Sequence, residues 1–259
     1  MNFVALLGVE LRKLRRSHII WILLLPVIFL WIPSVFNADM NFQMQAEGIS
    51  PENNFFIQGF LGFSWIMYPA SLVVCTVLLN QTERSGRGMI RMLCLPVRPV
   101  KICLSKFVVL LLLAAVQMVF MLGAYFPAVW LASQMTGYEL MISPCLVLKE
   151  TVLIFASSLP MAAFFWMLAV CIRTPVFSIG AGLASIVPSV LIMNTKAWYV
   201  YPMCYPFYMI TTLQGKMAEN FDTFTLEFIP WIPTAAVIFI LCLAVACLCF
   251  GRGERRTIL

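Results

Sequence analysis

The chain has 259 residues, of which 62% are hydrophobic and only 11% charged, against about a quarter charged in soluble domains. No water-soluble fold hides that much apolar surface, so the composition names lipid as the solvent. The formal net charge of +6 does not point to nucleic acid, because the basic residues stand beside the ends of apolar runs, where anionic lipid head groups attract them.

From the N-terminus, residues 1–18 read as a helix, with Phe3, Leu7, Leu11 and Leu14 spaced as one apolar stripe and Glu10, Arg12, Lys13 and Arg16 elsewhere. Two readings stand: a helix lying along the inner membrane surface, or a positively charged flank of the first span. Apolar runs near the ~20 residues needed to cross a ~30 Å core then follow. They predict spans at 19–36, 58–80, 104–132, 147–172, 177–194 and 231–250. Near-continuous apolarity suits helices, whereas a barrel strand alternates polar and apolar residues. The expectation is an all-α integral membrane protein, one transmembrane domain over residues 1–259. The stretch from Ile19 to Phe36 exceeds a signal core and lacks a clear cleavage site, so it is read as a retained span.

Orientation follows the basic residues, which gather on the cytoplasmic side. Arg12, Lys13, Arg15 and Arg16 precede the first span, and Arg84, Arg87, Arg91, Arg98, Lys101 and Lys106 follow the second. Arg173 follows the fourth, and Arg252, Arg255 and Arg256 end the chain. Only Lys149, Lys196 and Lys216 fall on the other side, among most of the acidic residues. Both termini are therefore expected in the cytoplasm. With Lys106 counted in the connection before the third span, the only charges assigned to spans are Lys149 and Glu150, at the outer edge of the fourth.

Between spans one and two, Asn37 to Ile57 reads as a polar outer loop with a short helix capped by Ser50 and begun by Pro51. Further on, Trp198, Tyr199, Tyr205 and Tyr208 belong to an aromatic and proline cluster in the outer segment before the last span. An interfacial aromatic belt and a substrate-handling external gate both account for it. Prolines 26, 33, 69, 127, 160 and 188 fall in spans and predict kinks. Gly180 and Gly182 read as close helix packing. Cys145 and Cys204 are the only candidates for an external disulfide, and no pairing is predicted; no metal-ligand spacing appears.

The connection after the second span carries the most information. It holds Glu83, Gly86, Arg87, a short amphipathic stretch including Leu93 and Leu95, and a Pro-x-Arg-Pro turn at Pro96 and Arg98, followed by Lys101 and Lys106. Met89, Ile90, Met92, Leu93 and Leu95 can form the apolar side of a two-turn helix ended by Pro96. A short helix projecting at the membrane face is suited to docking in a partner's groove.

That order of residues, feeding into a long third span, resembles the first intracellular loop of type-2 ABC exporter permeases. The N-terminal helix with Glu10, Leu11, Lys13 and Arg16 resembles their elbow helix, and six spans in about 260 residues resemble their layout. Within that class, a bare permease without a fused ATPase is similar to the immunity and resistance permeases for lantibiotics and bacitracin-like peptides. The resemblance implies a permease subunit exporting an amphipathic substrate such as a peptide antibiotic from a bacterial plasma membrane. It implies a cytoplasmic ABC ATPase dimer, holding ATP and Mg, and a second permease chain, identical or homologous. Residues Glu83, Gly86, Arg87, Leu93, Leu95, Pro96 and Arg98 would couple to that ATPase. No phosphate-cradling GxxxxGK[ST] loop occurs in the chain itself.

Three rival functions are weighed against this one. A secondary transporter or channel normally carries ionisable groups in mid-span, and none is expected here. An enzyme needs a nucleophile with a base, paired carboxylates or a metal, yet the single His18 sits beside Arg15 and Arg16. A non-transporting scaffold or sensor using the same ATPase remains open from sequence.

Overall fold

The computed structural model describes residues 3–14, 19–84, 98–217 and 228–250, with side chains throughout these except at 44–47 and 82–84. All regular structure among them is helical. Six helical stretches are long and apolar enough to cross a membrane: Ile19–Phe36, Pro51–Gln81, Pro99–Thr136, Pro144–Cys171, Pro175–Met193 and Phe228–Cys249.

Helix α1, Phe3–Leu14, precedes α2, Ile19–Phe36. A 3-10 helix over Ala38–Glu47 leads into α3, Pro51–Gly62. There is no separate loop helix before the second span, because α3 is that span's own beginning. Ser50 has the extended backbone of a cap, but its side chain makes no capping bond. At Phe63–Met67 the helix widens into a π turn, with the Tyr68 N–H bonded to the Phe63 carbonyl, and continues as α4, Tyr68–Arg84.

Proline punctuates the rest. Pro99 opens α5, Pro99–Thr136, after an extended Arg98, and Gly137 ends it at φ 67°. A proline is tolerated at a first helical position, where its missing N–H has no intrahelical partner. A glycine accepts positive φ without steric cost. Pro144 and Pro175 likewise open α6, Pro144–Ser157, and α8, Pro175–Ile186. Within the fourth span Pro160 separates α6 from α7, Leu159–Cys171, at Ser158. In the fifth, Pro188 separates α8 from α9, Ser189–Met193. Two short 3-10 turns, Trp198–Val200 and Pro202–Cys204, lead to α10, Tyr205–Met217, and the last span is α11, Phe228–Cys249.

The core runs through α3, α4, α5 and α7, with Phe56, Phe60, Tyr68, Leu72, Leu110, Tyr125, Phe165 and Trp166 all essentially inaccessible. Helix α11 packs on α7, α2 on α5, and α8 on α4. Close approach is set by small residues at two points. A Cβ on Gly59 would stand 2.6 Å from the Trp31 ring, and one on Gly182 would stand 2.7 Å from Val73. Gly180, read with Gly182 as a packing glycine, has nothing within 4 Å of its would-be Cβ. The outward faces of α2, α8 and α11 are apolar and exposed, as at Phe29, Phe177 and Ile229, which is how a lipid-facing helix differs from a soluble one.

Candidate functional site

Charge enters the interior where α1 meets the adjoining ends of α4 and α5. Of the predicted stripe of α1, Leu7 and Leu14 pack against the core while Phe3 and Leu11 are each 40% exposed, and the buried residues are Leu6 and Glu10. The Glu10 carboxylate accepts from Lys13 Nζ at 2.9 Å through Oε1 and from Lys106 Nζ at 3.0 Å through Oε2. The Lys106 ammonium also donates to the Leu79 carbonyl at 3.4 Å. Glu10 is 3% and Lys106 0% exposed. Lys106 is therefore no loop cation; it lies two turns inside α5 and ties that helix to α1 and α4. Burial alone would raise the Glu10 pKa, but the charge of Lys106 and the charge and hydrogen bond of Lys13 outweigh it. The carboxyl is held below its ordinary 4.5, ionised at neutral pH.

Lys106 and Leu79 flank the connection that the sequence marks for coupling. Of the residues named there, Gly86, Arg87, Leu93, Leu95 and Pro96 lie outside the described residues, as does Arg16 of the N-terminal group. Glu83 belongs to the last turn of α4 by its backbone, and Arg98 caps α5 with its side chain exposed. Arg12 is exposed on α1, away from the buried pair. The connection thus springs from two helices that one buried lysine holds together.

Deeper in the bundle the polar contacts are uncharged. Tyr68 and Ser158 hydroxyls bond across α4 and α7 at 2.8 Å, and Ser71 donates to Gln117 Oε1 across α4 and α5 at 2.7 Å. Gln117 bonds between helices as its place in an apolar run suggests, whereas Asn194 bonds to the Val190 carbonyl of its own segment. Glu150 stands in the second turn of α6, near the start of the fourth span, and is 8% exposed because it packs against neighbouring helices. The eight described cysteines, Cys145 and Cys204 among them, are free thiols. Cys204 is buried and donates to the Ser189 carbonyl. No group of three or more metal-binding side chains occurs among the described residues.

The aromatic cluster before the last span forms a packed plug. Trp198 stacks on Tyr208 at 3.7 Å with a 12° interplanar angle, and meets Tyr199, Tyr205 and Trp231 edge-on or tilted. The Tyr205 hydroxyl donates to the Tyr199 carbonyl. Trp198, Tyr205 and Tyr208 are buried, so three of the four rings lie inside the protein, where an interfacial belt would expose them. Their contact with Trp231 joins the plug to α11.

The pairing of Glu10 with Lys106, 96 residues apart, was not read from sequence. The available signal was a lysine inside an otherwise apolar run, which needs a buried counter-charge.

Residues 6–189 match the family model described as ABC-2 family transporter protein. No curated protein and no solved structure matches the chain. The match begins within the helix that carries Glu10, runs through the first four spans and nearly all of the fifth, and covers well over half of the sequence; the chain belongs to the ABC-2 transporter family of membrane permeases.

Proposed function

We propose that this chain is the membrane-spanning subunit of an exporter driven by a separate cytoplasmic ABC ATPase dimer, which holds the ATP and Mg. In this reading α1 is the elbow helix, both termini face the cytoplasm, and residues 83–98 form the coupling segment. Glu83 and Arg87 make polar contacts to the ATPase, and Leu93 and Leu95 fill its groove. The carrying observation is that Lys106 joins Glu10 of α1 to the Leu79 carbonyl of α4 from within α5. Both helices that flank the coupling segment are thereby fastened to each other and to α1. A push delivered to the segment is passed to α4 and α5 together. A second permease chain, identical or homologous, completes the exit path in a bacterial plasma membrane, and the cargo is an amphipathic molecule such as a peptide antibiotic.

The test is co-purification of the ATPase with the chain carrying Glu83→Lys and Arg87→Glu, followed by ATPase activity of the parent complex in lipid. Loss of the ATPase from the variant, and peptide-stimulated hydrolysis by the parent, support the proposal. Unchanged recovery of the ATPase rejects the docking role of the segment. Hydrolysis indifferent to amphipathic peptides rejects the cargo and favours a scaffold.

A further inference from the structure

At the end of the bundle opposite the Glu10–Lys106 pair, a pocket of about 400 Å³ lies between the last turn of α2, the 3-10 helix and α3. Five carboxamides line it: Asn37, Asn41, Gln43, Asn54 and Gln58. They are ordered rather than scattered. Gln58 Nε2 donates to Asn54 Oδ1 at 3.3 Å, Asn54 Nδ2 to Asn41 Oδ1 at 3.1 Å, and Asn41 Nδ2 to the Ala38 carbonyl at 2.8 Å. Asn37 Nδ2 donates to the Pro33 carbonyl at 2.9 Å. Asn41 and Asn54 are buried, while Asn37 and Gln58 are exposed at the mouth. Asn37 Oδ1 and Gln58 Oε1 have no protein donor among the described residues, and each amide keeps a second N–H. Pro33, Met40 and Phe55 supply apolar wall.

Among the described residues the lining carries no lysine, arginine, aspartate or glutamate, and carboxamides do not titrate. The nearest charges in sequence, Asp39 and Glu52, are acidic. A phosphate would find no cation here, and an ammonium would find no carboxylate among the lining groups. What fits is a neutral ligand whose groups both donate and accept, as hydroxyls do.

The depth of the pocket narrows the class. The second span is 31 residues long, about 46 Å at ~1.5 Å per residue, and so overshoots a ~30 Å hydrocarbon core. Its polar residues stand at its two ends, Glu52, Asn53, Asn54 and Gln58 in the first turns and Asn80 and Gln81 in the last, so both ends reach beyond the core. The pocket therefore sits at head-group level, beside the last turn of the apolar α2. An uncharged, hydroxyl-rich ligand at that depth is a sugar on a lipid. We propose that this pocket binds the glycosyl head group of a neutral glycolipid.

The test uses the full chain purified in detergent, with lipid retention read by native mass spectrometry. The probes are diglucosyl diacylglycerol, phosphatidylglycerol with the same acyl chains, and a free disaccharide. The expected result is preferential retention of the glycolipid. In the double variant Asn37→Leu, Gln58→Leu, which leaves the Asn54–Asn41 bond in place, retention should fall about tenfold, as for two ordinary hydrogen bonds lost. Gln58→Lys, which adds a cation at the mouth, should shift the preference towards phosphatidylglycerol. Variant-sensitive binding of the free disaccharide assigns recognition to the sugar alone; its absence assigns part of it to the lipid tail. Equal retention of both lipids by the parent, or a double variant that unfolds at the parental temperature and retains glycolipid as the parent does, overturns the proposal. So does displacement by an uncharged peptide in the absence of glycolipid binding.

Discussion

Replacing Lys106 with methionine keeps an unbranched side chain one atom shorter and removes its charge, leaving Glu10 buried with Lys13 alone. Removing one partner of a buried ion pair costs about 3–5 kcal/mol, because the other charge is left uncompensated. Lys13 still reaches Oε1 at 2.9 Å, although its side chain is 43% exposed; its contact is therefore screened and offsets part of the loss, which places the cost near the lower bound, ~3 kcal/mol. At about 2–4 °C per kcal/mol for a chain of this size, the unfolding temperature should fall by roughly 6–12 °C. The double variant Glu10→Gln, Lys106→Met buries no charge and should recover at least about half of that loss. Acid adds a second readout. Because Glu10 is held below its ordinary 4.5, the stabilisation is complete above that value and disappears as pH falls through the lower folded value. The parent should thus lose stability only under acid, and Lys106→Met should lose less there, having less of the pairing to forfeit. Thermal unfolding of the detergent-solubilised chain, followed by tryptophan fluorescence across neutral and acid pH, measures all of this. A single variant as stable as the parent, or a double variant no better than the single, would refute the argument that the pair is a buried clamp.

Two further outcomes follow from packing and accessibility. Gly182→Ala forces a methyl to within 2.7 Å of the stiff Val73 side chain and should cost about 1–3 kcal/mol, as overpacking does; Gly180→Ala, with open space around it, should leave the unfolding temperature unchanged or slightly higher. Cys145 is exposed and Cys204 buried, both as free thiols, so a maleimide should label Cys145 in the folded chain and Cys204 only after denaturation. A cross-link between the two on non-reducing electrophoresis would contradict the structure.

Much of the fold was legible because apolar runs of span length have few alternative uses. The first span reads identically in sequence and structure, and the others differ chiefly at their ends. Those ends were misplaced where polarity and helicity part company. Asn53 and Asn54 read as part of an outer loop with a short helix of its own begun by Pro51, yet that helix runs on without a break into the span. Pro99, Pro144 and Pro175 mark starts in the same way, and each lies outside the apolar run that hydropathy detects. The site was less legible. Glu10 and Lys106 each stand out in the sequence, in separate motifs, but nothing in a linear pattern reports a contact across 96 residues. Likewise a belt and a buried plug draw on the same aromatic residues, and only the burial of Trp198, Tyr205 and Tyr208 separates them.

The wide turn at Phe63–Met67 has its own consequence for how the second span behaves under load. An α-helix rotates about 100° per residue, so a turn that bonds five residues back sets the two halves of the rod at different angular phase. Phe56 and Phe60 above it and Leu72 and Leu79 below it are all buried without sharing one straight stripe. Sliding the wide turn along by a residue would twist one half against the other while breaking few bonds. The wide turn is thus the point of the second span where a twist would cost the fewest backbone bonds, as at a swivel between two stiff links.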